Sequence, residues 1–346
     1  MKMRNASFLC SVILSCAGIC QIQQSRGAEY RLETEIPVGG EGGWDYLTVD
    51  SKSHRLYVSH GNSIVVVDTA SNKVVGEIAD TPGVHGIAVA PDLGKGFTTN
   101  GRENKSSIID LATLKTLARI ETGANPDGML YVPGRQEVYI FNGRGQSATI
   151  IDAKVGTVVA TTKLNGKPEF AAVDEKAGRV FNNLEDKNEV VTIDTKTHEV
   201  VNHWAIAPGE EASGMAFDAK NHRLFLGCGN KMMVMMDSET GKVVATVPIG
   251  DGVDANSFDP ATQLAFASCG DGTVTIAHEE NPNSLKVVQT LTTERGAKTM
   301  VLDPATHKIY LGSAKMEAPA NGQRRGRIVP GSFKVLVYTS ETAAKP

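Results

Sequence analysis

Seven residues recur along this chain at intervals of 40 to 44 positions, and their types could do chemistry together: Asp45, His85, Asp127, Glu169, Ser213, Asp254 and Lys298. Brought to one centre, carboxylates and one imidazole would hold a divalent cation through hard oxygens and a ring nitrogen, or pass a proton between carboxyl and imidazole. Trp44, beside Asp45 in Gly42-Gly43-Trp44-Asp45, offers that centre an aromatic wall. A second charged group, Arg324, Arg325 and Arg327, lies among Gly, Pro and Asn residues and could present guanidinium forks to an anion. The competing reading of the seven residues is a solvated polar rim, and that of the arginines an insertion that touches nothing.

Whether the seven residues meet depends on the elements between them. A segment of about 42 residues returns seven times with one internal order: an apolar strand, a turn, β-branched residues ending in Asp, and a Lys-Val-Val-like tail. Clear copies are Arg55-Leu-Tyr-Val-Ser with Ile64-Val-Val-Val-Asp68 and Lys73-Val-Val, and Arg223-Leu-Phe-Leu-Gly with Val234-Met-Met-Asp237 and Lys242-Val-Val. Four short strands per repeat predict an all-β, seven-bladed β-propeller of four-stranded antiparallel blades. Innermost strands (a) are read near Tyr46, Gly86, Gly128, Phe170, Gly214, Ala255 and Thr299, so each of the seven residues falls just before one. The loops leading into strands a and the b–c loops emerge on one face, where the seven would ring the channel mouth as ligand-binding candidates.

Positions that stay alike between copies read as structural. The Asp closing strand c (Asp68, Asp110, Asp152, Asp194, Asp237) precedes a short polar turn and is expected to accept backbone N–H bonds there. Ala277 and Tyr338 replace it in blades six and seven. Met232, Met233, Met235 and Met236 read as alternating strand-c packing, and Cys228 and Cys269 as two separate buried thiols, a disulfide between them being the alternative.

Both ends depart from the repeat. Arg31-Leu-Glu-Thr-Glu-Ile-Pro-Val-Gly39 matches the outer strand Val243-Val-Ala-Thr-Val-Pro-Ile-Gly250, so the segment 29–42 is expected to complete the last blade and close the ring. The segment 314–332 is an insertion in that blade, long enough to be a lid. Lys2 and Arg4 followed by an apolar run from Phe8 to Cys20 read as a signal peptide over 1–28, leaving one propeller domain over 29–346. Ile13-Leu-Ser-Cys16 resembles a lipobox, and lipoprotein anchoring at Cys16 is the alternative. Removing 1–28 takes away Lys2, Arg4 and Arg26 and no acid, so the formal charge moves from −4 to −7. An acidic surface argues against general nucleic-acid binding.

The Leu-Tyr-Val-Ser, Val-Val-Val-Asp-Thr and Lys-Val-Val pattern resembles the YVTN-type β-propeller repeat family across nearly all of residues 29–346. The resemblance implies an exported protein, periplasmic or secreted, and no particular reaction. Propellers of similar shape include lactonases, lyases and haem-bearing nitrite reductase domains. Covalent haem is not expected, since Cys-x-x-Cys-His is missing, as are His-Glu-x-x-His, Gly-x-Ser-x-Gly and a phosphate loop. The expectation is a monomeric binding scaffold with no transmembrane helix after processing, its partner a protein or a small molecule and a divalent cation one candidate cofactor. The alternative is a channel-mouth enzyme of lactonase or lyase type.

Overall fold

The structure, a computed structural model, describes residues 29–318 and 326–340. It consists of seven four-stranded antiparallel sheets, with only three short 3₁₀ turns, at Pro91–Leu93, Pro133–Arg135 and Glu185–Lys187. Six sheets take four consecutive strands each. In the first blade these are Trp44–Asp50 (a), Arg55–His60 (b), Ser63–Asp68 (c) and Lys73–Ile78 (d). In the seventh, strands Met300–Asp303, Lys308–Ser313 and Lys334–Ser340 are completed by the N-terminal strand Tyr30–Pro37, which pairs antiparallel with Lys334–Ser340. This is the ring closure that the Arg31–Gly39 pattern predicts. The strand also carries a register shift between Leu32 and Thr34, and every other outer strand pair shows one at its equivalent place.

No blade holds a core of its own; the apolar interior lies at the seams between blades. The buried hydrophobic residues fall into seven clusters, each drawn from two neighbouring sheets. One aromatic side chain at the third position of strand b anchors each seam in turn: Tyr57, Phe97, Tyr139, Phe181, Phe225, Phe266 and Tyr310, all at most 1% exposed. Rings of this size bury enough area to dominate the seam. Phe225 stacks on Phe258 of the next blade at 4.9 Å, and Tyr30 of the closing strand meets Phe266 edge-on at 5.2 Å.

The turn aspartates behave as expected. Asp110 Oδ1 accepts the N–H groups of Ala112 and Thr113 at 2.9 and 2.7 Å, and Asp152, Asp194 and Asp237 repeat the arrangement. In blade six the residue at the Asp position is His278, paired with Leu264 as Asp237 is with Arg223, and not Ala277. Strand c there runs on to Asn281, whose Oδ1 accepts the Asn283 N–H at 2.9 Å and caps the turn. The Met residues pack in the core, Met233, Met235 and Met236 fully. Cys228 and Cys269 are separate buried thiols, each pushed up to about 12 by burial.

Sequence and structure differ on where strands a begin. In blades one to six they start two residues earlier than read, at Trp44, Val84, Pro126, Pro168, Ala212 and Val253. The a–b register then slips at once, between Trp44 and Leu47, Val84 and Ile87, and so on round the ring. The six residues expected in loops therefore occupy an irregularity at the head of the innermost strand, where the alternation of side chains is broken and one can be re-aimed. Only Lys298 precedes its strand, which starts at Met300.

The closing strand should carry real stability. Ile36 is 1% exposed inside the seam between blades seven and one, whereas Leu32 is 46% exposed on the outer face. Ile36→Ala should cost about 2–5 kcal/mol in urea unfolding, and Leu32→Ala less than about 0.5 kcal/mol. Equal losses would show that the closure does not bear on global unfolding.

Candidate functional site

Asp45, Asp127, Glu169, Ser213, Asp254 and Lys298 all line one cavity of about 340 Å³ at the mouth of the channel. His85, the seventh, lines a shallower neighbouring depression of about 810 Å³, and Asp45 lines both spaces. Its Nδ1 lies 2.7 Å from Asp45 Oδ2 and 3.3 Å from Asp127 Oδ1. Three consecutive blades thus contribute Asp, His and Asp to one cluster, with donor atoms within 4.8 Å of one another. The imidazole lies against Gly101, where an added Cβ would stand 2.7 Å from Nε2, so only glycine leaves room for the ring.

Across the cavity the remaining carboxylates are clamped. Asp254 takes Lys298 Nζ at 2.9 Å and the Thr299 hydroxyl at 2.6 Å. Glu169 takes Lys167 Nζ at 2.7 Å, and the same ammonium also holds Glu185. Ser213 donates to the carbonyl of Asp254 at 3.1 Å and so braces the rim. Lys167, Glu185 and Glu211 join the lining. The cavity gathers six acids against two lysines, a charge excess that favours a cationic occupant.

Burial sets the titration of this group. Glu169, 13% exposed at its side chain, is pushed up to about 7 by desolvation, with the charge of Asp127 adding and Lys167 opposing. Desolvation likewise pushes Asp127 up to about 6, opposed by His85 and reinforced by Asp45. Asp45 is raised by burial, against the hydrogen bond from His85. For His85 burial disfavours the charged ring, but the bond to Asp45 and the charges of Asp127 and Asp45 outweigh it and the net shift is upward.

One member of the site escapes sequence reading. Tyr46, directly after Asp45, is 8% exposed, lines the cavity floor, and packs its ring 4.6 Å from Phe170. Its hydroxyl is buried with no hydrogen-bond partner. Burial and then the charges of Asp127, Glu169, Asp45 and Asp254 hold its pKa well above the tyrosine range. An orphaned hydroxyl costs about 1–3 kcal/mol. In sequence, Tyr46 reads as the first apolar residue of a strand, which hides the role.

Trp44 lines the depression that Asp45 and His85 also line, and not the cavity of about 340 Å³. The strand irregularity turns its ring into the seam between blades seven and one, where it stacks on Phe333 at 5.1 Å and covers Gly312. Arg324 and Arg325 lie outside the described residues. Arg327 is exposed, lines neither cavity, and accepts the Glu317 N–H at 2.8 Å. Its neighbours form the paired base of the insertion: Met316 bridges Ile328, Gly331 N–H reaches Gly40 O, and Ile328 packs on the core. The described arms of the insertion are therefore seated on the ring.

No protein-family model matches the sequence, and no curated protein matches it either. Among solved structures, a chain of the hydrazine synthase of Kuenenia stuttgartiensis superposes with a TM-score of 0.69 at 18% identity, covering 81% of this chain and 94% of that one. A chain of a mitotic checkpoint complex superposes at 0.75 and 13% identity, covering 98% and 99%. At such identities the likeness is one of fold, a seven-bladed propeller.

Two outcomes follow for the channel mouth. The folded protein keeps protons on Asp127 and Glu169 at pH values where the unfolded chain has released them, so their contribution to stability falls as pH rises from about 4 to about 7. That of His85, whose folded pKa is also raised, is lost only above about 6.5. Glu279, pushed up to about 7 by burial on another part of the ring, adds the same sign. The turn residues Asp68, Asp110, Asp194 and Asp237 are held low, and their contribution fails only as pH falls through the carboxylate range. Urea unfolding in the presence of a chelator should show maximal stability near about pH 5, and Glu169→Gln should lessen the loss toward about pH 8 by on the order of 2 kcal/mol. Tyr46→Phe should leave the melting temperature unchanged or raise it, since no bond is lost; a fall of several degrees would mean that the hydroxyl is satisfied.

Proposed function

We propose that this protein is an exported ligand-binding propeller of the YVTN repeat type that takes a positively charged group into its channel mouth. The convergence of Asp45, Asp127, Glu169 and Asp254 on one cavity carries this reading, because acids from four blades meet there with only two lysines among them. The propeller frame supports the scaffold role, since its strands fix the rim while the loops above it are free to differ. The Lys2 and Arg4 head with its apolar run supports export, and the strand pattern of the repeats supports the YVTN assignment. Among the described residues no helix is long and apolar enough to cross a membrane.

The test is calorimetric titration with two kinds of cation, divalent metal ions and the polyamine spermidine, against citrate as the anionic control. At least one cation should bind with unit stoichiometry, weaken as salt rises, and bind at least about tenfold more weakly to Asp254→Asn or Asp127→Asn. Binding of citrate alone, or of nothing, would sink the reading.

One observation favours a second reading, a lactonase-like or lyase-like enzyme: Glu169 titrates near neutrality at the cavity wall, as a general acid or base requires. If so, a lactone panel should reveal turnover that Glu169→Gln lowers about 10²–10⁴-fold.

A further inference from the structure

Three ring residues form a tighter group than the cavity as a whole. Asp45, His85 and Asp127 come from blades one, two and three, one donor each, at a position where the other blades carry Glu, Ser, Asp and Lys. Donor atoms bound at right angles to one ion, each about 2.1 Å away, lie about 3 Å apart. The observed separations from His85 Nδ1, 2.7 Å to Asp45 Oδ2 and 3.3 Å to Asp127 Oδ1, bracket that value. The three side chains are 33, 25 and 16% exposed, so the cluster is recessed yet reachable from the cavity. Its surroundings are built for it. Ser59 Oγ accepts the Asp45 N–H at 2.8 Å and Thr99 Oγ1 the Gly86 N–H at 3.1 Å, fixing the irregular strand heads that aim Asp45 and His85.

A second observation points to an occupant. Tyr46 is 8% exposed and lines the same cavity, and its hydroxyl is buried with no partner. Such a donor is costly to keep unless something in the cavity accepts it, and a water or ligand oxygen on a bound ion would. From these we infer that Asp45, His85 and Asp127 bind one divalent first-row transition ion through Oδ2, Nδ1 and Oδ1, with its open positions facing Tyr46, Glu169 and Asp254. One imidazole among carboxylates selects Mn²⁺ or Zn²⁺ over Ca²⁺ and Mg²⁺, which favour oxygen alone. Three protein ligands with open positions hold an ion that can still take a ligand. The inference rests on the cation-binding reading and narrows it to a metal. The arrangement it competes with is a protonated His85 clamped between two carboxylates with no ion.

The test uses the full-length protein, stripped with EDTA and titrated with MnCl₂, ZnCl₂, CaCl₂ and, separately, spermidine. One Mn²⁺ or Zn²⁺ should bind per chain, with Ca²⁺ weaker. Asp45→Asn and Asp127→Asn, which keep side-chain shape, should each weaken binding at least about tenfold, as should Tyr46→Phe from outside the ligand set. Pulsed EPR of bound Mn²⁺ should show a nitrogen coupling that changes on ¹⁵N-histidine labelling and vanishes in His85→Gln. Should that variant not fold, the labelling result on the unaltered protein decides. Stoichiometric binding that survives both Asp substitutions, Mn²⁺ without nitrogen coupling, or no metal bound at millimolar concentration would each overturn the inference. Spermidine binding without metal binding overturns it and leaves the broader reading intact; binding of neither removes both.

Discussion

Everything in this molecule hangs on the seam between adjacent blades. A four-stranded sheet of some 42 residues has two apolar faces and cannot bury either by itself. Each face is covered only by the next sheet, and the seven strand-b aromatics from Tyr57 to Tyr310 fill the seven gaps so formed. Because each seam needs both its sheets, the arrangement is stable only as a closed circle. That accounts for a strand from the beginning of the chain in the last sheet, with Ile36 in one seam and Tyr30 in the other.

The same demand explains where diversity is tolerated. Residues facing a seam answer to two neighbours and vary little in kind from blade to blade. Those at the head of strand a answer to neither, since the register slip lifts them out of the alternation that would point them into a sheet face. Asp45 and Trp44 show the division within two adjacent positions: the carboxylate enters the cavity while the indole enters the seam. The strands hold the backbone of the rim in place, and its side chains are free to carry charge at a cost borne locally by partners such as Lys298, Lys167 and His85.

Much of this was legible in the chain, for physical reasons that also mark where legibility stops. A period fixes the fold because each copy must repeat the same burial problem, and the turn aspartates stand out because each copy solves the same backbone problem. The ring residues stand out by differing. Which of them touch is a matter of ring radius and side-chain direction, and neither is written in the spacing; the Asp45–His85–Asp127 cluster could have been suspected only from its occupying three consecutive blades. Tyr46 was hidden because its ring satisfies the strand pattern while its hydroxyl breaks it. Trp44 was legible in part: it lines the depression beside the cavity, while its packing on Phe333 in the seam belongs to a strand that begins earlier than its apolar residues do.

Closure by the N-terminal strand also orders events in time. Tyr30 pairs with Ser340 across some three hundred residues, so the last sheet has its outer edge only when both ends of the chain are present. Long-range pairing of this kind is slow, because the loop must be closed before any contact rewards it. Until then the growing protein is an open arc with a bare apolar face at each end, and the final seam forms last. A chain cut short in its seventh blade would thus keep six good sheets and still behave as an adhesive one, which places the greatest hazard for this protein in its assembly and the least in its finished state.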